Sequence, residues 1–261
     1  MPRAGTVFVF DFMARLFAFE KVEPMFTGGF RPVPPEWNPY EHDRTYLNLK
    51  DGQVIAAHYS LNQEISQMLE DDELLGVYLY RDPRDAVVSG ALYIKYALQN
   101  HFLHPLFSRL SEADAISLML SGGVISIDDL PYEVTEKRQP YVVYGGMRNS
   151  CDIIYSWLQH PKVAKLRYEE FTRCPEGALS HSLESVGVVV SREKIEALSK
   201  GKSFVSASGG WAINVEDKTS HFRKGIVGDY QNYFTELHRS ICKFFIGDDL
   251  IRLGYEKDYS W

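Results

Sequence analysis

Apolar and polar positions along this chain switch repeatedly between two periods. Three short runs, "QVIAAH" (53–58), "LLGVYLY" (74–80) and "KVAKLRY" (162–168), read as strands. Each leads into a stretch with apolar residues at helical spacing: 61–72, 83–97 and 169–186. Four further stretches, 107–122, 144–160, 192–200 and 235–255, also read as helices. Strands alternating with helices predict parallel strands joined by crossover helices, an α/β fold. The opening run "TVFVFDFMARLFAF" (6–19) fits either period. Its β-branched and aromatic residues favour a buried strand, and its apolar spacing also suits an amphipathic helix.

No internal repeat or low-complexity tract interrupts the pattern, so residues 1–261 are expected to form one domain. Two long segments between elements, 21–50 and 99–136, are expected to be insertions on the substrate side. The first holds "EPMFTGGFRPVPPEWNPYEHDRTYLN" (23–48), rich in Pro, Gly and aromatics and too long for a mere connector. A lid or recognition loop is the reading, and Phe26, Phe30, Trp37 and Tyr40 suit an aromatic or lipidic hydroxyl compound.

Charge narrows the partners. A net charge of −7 argues against nucleic acid, but a few cations can still build a local anion pocket. Cys151, Cys174 and Cys242 are odd in number and lack CxxC spacing, which reads as free thiols in a reducing compartment. Asp11 and Arg15 interrupt the N-terminal apolar run, so no signal peptide is expected, and no apolar run reaches the roughly 20 residues of a membrane span. The expected location is cytoplasmic. Oligomeric state is not legible.

Ligands of open α/β sheets bind beyond the carboxyl ends of the strands, and His58, Arg81 and Tyr168 each close one. After the second strand comes "RDPRD" (81–85), where Asp82 suits a helix N-cap and Pro83 a first helical residue. Arg81 then stands at the strand end, either solvated or facing an anion. In "HFRKGIVGDYQNYFTELH" (221–238), Arg223 and Lys224 directly precede Gly225. Two cations beside a glycine suit a phosphate or a flexible surface turn. Arg3, Gly5 and Thr6 stand before the ambiguous run at 6–19; if that run is helical, they form an anion loop at its N-terminus. The P-loop motif G-x-x-x-x-G-K-[ST] of kinases and other NTPases is absent.

In this order the clusters resemble the cytosolic-type sulfotransferases that use 3′-phosphoadenosine 5′-phosphosulfate (PAPS). "PRAGTVF" is similar to the family's 5′-phosphosulfate loop, usually P-K-S-G-T-T-W, "YLYRDPRDAVVS" to its 3′-phosphate strand and helix, and "FRKGIVGDYQNYFT" to its late Arg-Lys-Gly motif. "LRYEEF" and "KSFVS" resemble its adenine-side segments. The resemblance implies a P-loop-like α/β domain with a central parallel sheet. It assigns Arg3, Ala4, Gly5, Thr6 and Val7 to the 5′-phosphosulfate and Phe8, where Trp is usual, to stacking on adenine. Arg81 and Ser89 would take the 3′-phosphate, with Arg223, Lys224 and Gly225 closing over it, and Tyr168 and Phe204 would border the base. His58, in "IAAHYSLN", matches the catalytic histidine.

The implied reaction moves a sulfuryl group from PAPS to a hydroxyl or amine of a small-molecule acceptor, leaves 3′,5′-bisphosphate (PAP), and needs no metal. Arg3 replaces the family's Lys; it stabilises charge on the leaving phosphate but has no proton to give at neutral pH. That difference leaves a second reading, a catalytically impaired relative that retains the bisphosphate site. In the family a central strand feeds the 5′-loop. Here the loop begins at residue 2, which leaves three readings: upstream residues are omitted from this sequence, another segment fills that place, or the loop is the free N-terminus; a missing strand would expose edges on both neighbours, which proteins avoid.

Overall fold

Helical spacing prevails over β propensity at the start of the chain: Thr6–Phe17 is a helix, α1. Its residues Val9, Phe12, Met13 and Leu16 are buried at the i, i+3, i+4, i+7 positions of one face. The computed structural model describes residues 6–22, 45–56, 60–99, 101, 103–126, 141–200 and 224–261. Contacts divide the chain into two compact units, one drawn from 1–25, 43–81 and 153–213, the other from 26–42, 82–152 and 214–261.

The first unit is layered. Strand β1 (Glu20–Val22) pairs in parallel with β2 (Gln53–Ile55), Glu20 opposite Gln53. Helix α2 (Gln63–Glu70) follows; its N-cap Asn62 accepts from the Ile65 N–H at 2.8 Å. Strand β3 (Gly76–Tyr80) belongs to a second parallel pair, with Gly76 opposite Val163 and Tyr80 opposite Arg167 of β6 (Val163–Arg167). Alternation along both strands sorts their side chains. Val77, Leu79, Ala164 and Leu166 pack on α1 and on three later helices: α7 (Tyr168–Arg173), α8 (Pro175–Glu184) and α9 (Arg192–Lys200). Tyr78 and Val163 face the other way, onto Ile65, Leu69 and Trp157, with the Tyr78 and Trp157 rings stacked at 5.3 Å.

Between β2 and β3 lies a cavity of about 370 Å³, walled by Val9, Phe10 and Met13 on one side and Ile65, Leu69 and Trp157 on the other. Among the described residues neither strand has a second partner.

The second unit is mostly helical. It contains α3 (Pro83–Tyr96), α4 (His104–Arg109), α5 (Glu112–Ser121), the antiparallel pair β4 (Gly123–Ser126) and β5 (Tyr141–Tyr144), and α10 (Glu236–Arg252). Helix α6 (Gly146–Gln159) begins there. Two stretches read as single helices are broken. Ser111 interrupts 107–122 by capping α5, accepting from the Asp114 N–H at 3.0 Å. Cys174 interrupts 169–186 just before Pro175, which has no N–H to continue the ladder. The Lys95 ammonium donates to the carbonyls of Phe107, Ser108 and Leu110, closing the end of α4. Where β5 passes into α6 the backbones meet closely: Gly122 (φ +68°) could carry no Cβ, which would fall 2.1 Å from the Tyr144 carbonyl oxygen. Among the described residues no helix is long and apolar enough to cross a membrane.

Candidate active site

The four charges of "RDPRD" divide into one capping, one paired, one bridging and one strand-end residue. Asp82 is the N-cap of α3, its carboxylate accepting from the Arg84 N–H at 2.9 Å, and Pro83 is the first helical residue, as predicted. Arg84 is buried and turns back on its own cap, with Nη2 donating to Asp82 at 2.7 Å and Nη1 to Glu256. Its guanidinium lies 4.3 Å from the Tyr230 ring centre and 4.9 Å from that of Trp261. Burial opposes that charge, yet the bonds to Asp82 and Glu256 hold the proton more tightly than in an ordinary arginine. Burial pushes the Asp82 carboxyl up, against the pull of Arg84. Arg84 is therefore a structural cation with its donors already engaged.

Arg81 is placed differently. Register puts Tyr80 opposite Arg167, so the residues that follow, Arg81 and Tyr168, emerge side by side at the carboxyl ends of β3 and β6. The Arg81 guanidinium lies 4.6 Å from the Tyr168 ring centre, and both residues are buried. Both residues thus stand at the carboxyl ends of parallel strands, the side on which ligands of open α/β sheets bind. Two residues predicted from different motifs, 87 positions apart in number by Tyr168 minus Arg81, are thus brought together.

On α3, Ser89 is buried about two turns beyond the cap. Elsewhere in the same unit, Gly225 has φ +66° and Gly228 φ +80°, so the backbone after Lys224 turns through conformations that favour glycine. The Lys224 ammonium is mostly covered, 3.2 Å from the Asp229 carboxylate and 5.4 Å from the Tyr233 ring centre. Two members of this cluster were not found from the sequence. Asp85 accepts from the Gly228 N–H at 2.8 Å and the Tyr230 N–H at 2.9 Å, and Asp229 pairs with Lys224.

Thr6 opens α1, so the segment before it enters at a helix N-terminus, where free N–H groups and the helix dipole favour an anion. The structure thereby decides between the two readings of "TVFVF". Val7 and Phe8 lie on α1, their side chains outside the described set, and Arg3, Ala4, Gly5, His58, Phe204 and Arg223 lie outside the described residues. The cavity between β2 and β3 includes Thr6 in its wall but none of Arg81, Ser89, Tyr168 or Lys224. The cysteines offer no nucleophile in the interior. Burial raises the Cys151 thiol well above its usual range and pushes Cys242 up to about 12, while Cys174 is exposed.

No curated protein sequence matches the chain at a significant level. Solved structures do. The crystal structure of mouse sulfotransferase SULT7A1 complexed with PAP aligns with a TM-score of 0.62 at 18% identity, over 95% of this chain and 81% of that one. Two structures of retinol dehydratase, one with androsterone and inactive cofactor PAP and one with retinol and PAP, each align with a TM-score of 0.52. Their identities are 21% and 19%, over 79% of this chain, and the match spans 56% of the retinol dehydratase chain. At these identities the alignments establish the α/β fold. The sequence profile of the sulfotransferase domain covers residues 1–252. With nearly its whole length under that profile, the chain belongs to the sulfotransferase domain family.

Proposed function

We propose that this PAPS-dependent sulfotransferase moves the sulfuryl group from PAPS to a hydroxyl, or an amine, of a small-molecule acceptor, with His58 as general base. The observation that carries the donor assignment is the Arg81 guanidinium on the Tyr168 ring at the ends of β3 and β6, beside the fold's likeness to solved structures that hold PAP. Ser89, Lys224 and Gly225 supply the polar side chains and close backbone approach that a 3′-phosphate needs. An imidazole with an ordinary pKa of about 6.5 accepts the acceptor's proton near neutral pH as the oxygen attacks sulfur in line. Arg3 and the N-terminus of α1 stabilise charge on the leaving phosphate, without donating a proton. Aromatic residues of the 23–48 segment and the alcohols present in the retinol dehydratase structures, retinol and androsterone, favour an apolar hydroxyl compound as acceptor.

Binding and chemistry are tested separately. PAP is expected to raise Tm at concentrations well above its Kd, and ATP or adenosine 5′-monophosphate (AMP), lacking the 3′-phosphate, far less. Equal stabilisation by all three removes the donor assignment. With sulfur-labelled PAPS and a panel of hydroxylated compounds, His58→Ala is expected to abolish label transfer while keeping the PAP shift. Undiminished transfer by that variant places the base elsewhere. PAP binding with no transfer to any acceptor by the native chain favours the impaired relative, for which the Arg at position 3 is the specific ground.

A further inference from the structure

A buried carboxylate ties two parts of the proposed phosphate site together. Asp85 is 1% exposed and sits in the first turn of α3, four residues before Ser89 and therefore one turn away on the same helical face. Its Oδ2 accepts from the Gly228 N–H at 2.8 Å and its Oδ1 from the Tyr230 N–H at 2.9 Å. Both oxygens thus hold the backbone of a segment more than 140 residues distant. The residue between those two amides, Asp229, turns its own carboxylate to the Lys224 ammonium at 3.2 Å and accepts from the Asn232 side chain at 2.9 Å. Gly228, at φ +80°, lets the chain present two N–H groups to one carboxylate. The connection runs from α3 through Asp85 to the 228–230 backbone, then through Asp229 to Lys224.

We propose that Asp85 is a positioning residue that clamps the 224–230 loop onto α3, so that Lys224 and Gly225 stand in register with Ser89 around one phosphate. The inference rests on the donor assignment above. A carboxylate serves here because it accepts at both oxygens, and charge-assisted bonds to backbone N–H groups are stronger than neutral ones. Asparagine would keep one acceptor and turn an N–H₂ toward the other amide, which releases half of the clamp.

The test compares the Kd of PAP with that of AMP, because their ratio isolates what the 3′-phosphate contributes. Native protein that binds both equally overturns the donor assignment itself. Given a native preference for PAP, Asp85→Asn is expected to weaken PAP about tenfold, leave AMP nearly unchanged, and raise KM for PAPS by a similar factor with little change in kcat. In a Lys224→Ala background the same substitution is expected to have little further effect on PAP. Gly228→Ala provides a second route if Asp85→Asn does not fold. Its methyl has room, the nearest contact being 3.9 Å away, but the positive φ is strained, so the loop shifts while Asp85 remains. Gly228→Ala is expected to lower the PAP-to-AMP preference in the same way. A preference retained in full by either folded variant, or equal losses for PAP and AMP, overturns the proposal.

Discussion

His101 shows how a single buried group sets a pH limit. Its ring is 6% exposed, and Nδ1 accepts from the Leu103 N–H at 3.1 Å, a geometry that requires the nitrogen to be unprotonated. Burial, assisted by the charge of His104, pushes its pKa down to about 4. The unfolded chain, with a pKa of about 6.5, therefore binds more protons in between. The stabilisation is complete above pH 6.5 and is lost as pH falls toward 4. Between about pH 7 and pH 5 native protein is expected to lose about 2 kcal/mol more than His101→Asn, which retains an acceptor near the Nδ1 position. Urea denaturation at the two pH values measures the difference, and parallel losses would show that His101 is not the group responsible. At this scale Arg81 and Arg84 also separate. Two arginines three positions apart look alike in sequence, and only the folded chain sets Arg81 on the Tyr168 ring at a strand end and ties Arg84 to the carboxylates of Asp82 and Glu256.

Helix α3 is the element on which the proposed phosphate site and the second unit's core both depend. One face buries Val87, Val88, Ala91 and Leu92, and its first turn holds the Asp82–Arg84–Glu256 network. A buried ion pair is weak evidence of stability as a pair, but removing one partner strands the other. Arg84→Met is expected to destabilise the protein by about 3 kcal/mol, because the Asp82 carboxylate loses its counter-ion while remaining 7% exposed. Adding Asp82→Ser, which preserves an N-cap oxygen, is expected to recover part of that loss. Denaturant midpoints give the answer; a double variant no more stable than the single would assign the loss to packing around Arg84. The start of α3 was legible because capping is local: Asp82 and Pro83 are adjacent letters. Strands β3 and β6, five residues each, lie within the stretches 74–80 and 162–168 read as strands from the sequence. By contrast, β1, β4 and β5, of three or four residues each, lie outside the stretches read as strands, and β1 is held by its pairing with β2. "TVFVF" was ambiguous because its residue types and its spacing favour different structures, and burial of one face decided for the helix.

At the scale of the molecule, the family was legible because three cation-bearing motifs occur in a fixed order, each commonplace alone. The ties among them were not, since Asp85 meets Gly228 and Tyr230 only after folding. The same distribution of charge makes a prediction whose sign is informative. The protein carries a net charge of −7, so a bisphosphate approaching from a distance meets repulsion, which salt relieves by screening over about 8–10 Å. In the proposed site the 3′-phosphate meets Lys224 and backbone N–H groups at contact, and salt weakens those attractions wherever water reaches them. Contact distances favour attraction, because Coulomb energy falls with separation. The Kd of PAP is therefore expected to rise several-fold between about 50 mM and about 500 mM NaCl, and that of AMP to rise less, because one phosphate is missing. Titration calorimetry at constant pH distinguishes the outcomes. A PAP affinity that strengthens with salt would mean that the dispersed negative charge outweighs the local cations, and the 3′-phosphate would then have to be held by neutral donors such as Ser89 and the Gly225 backbone.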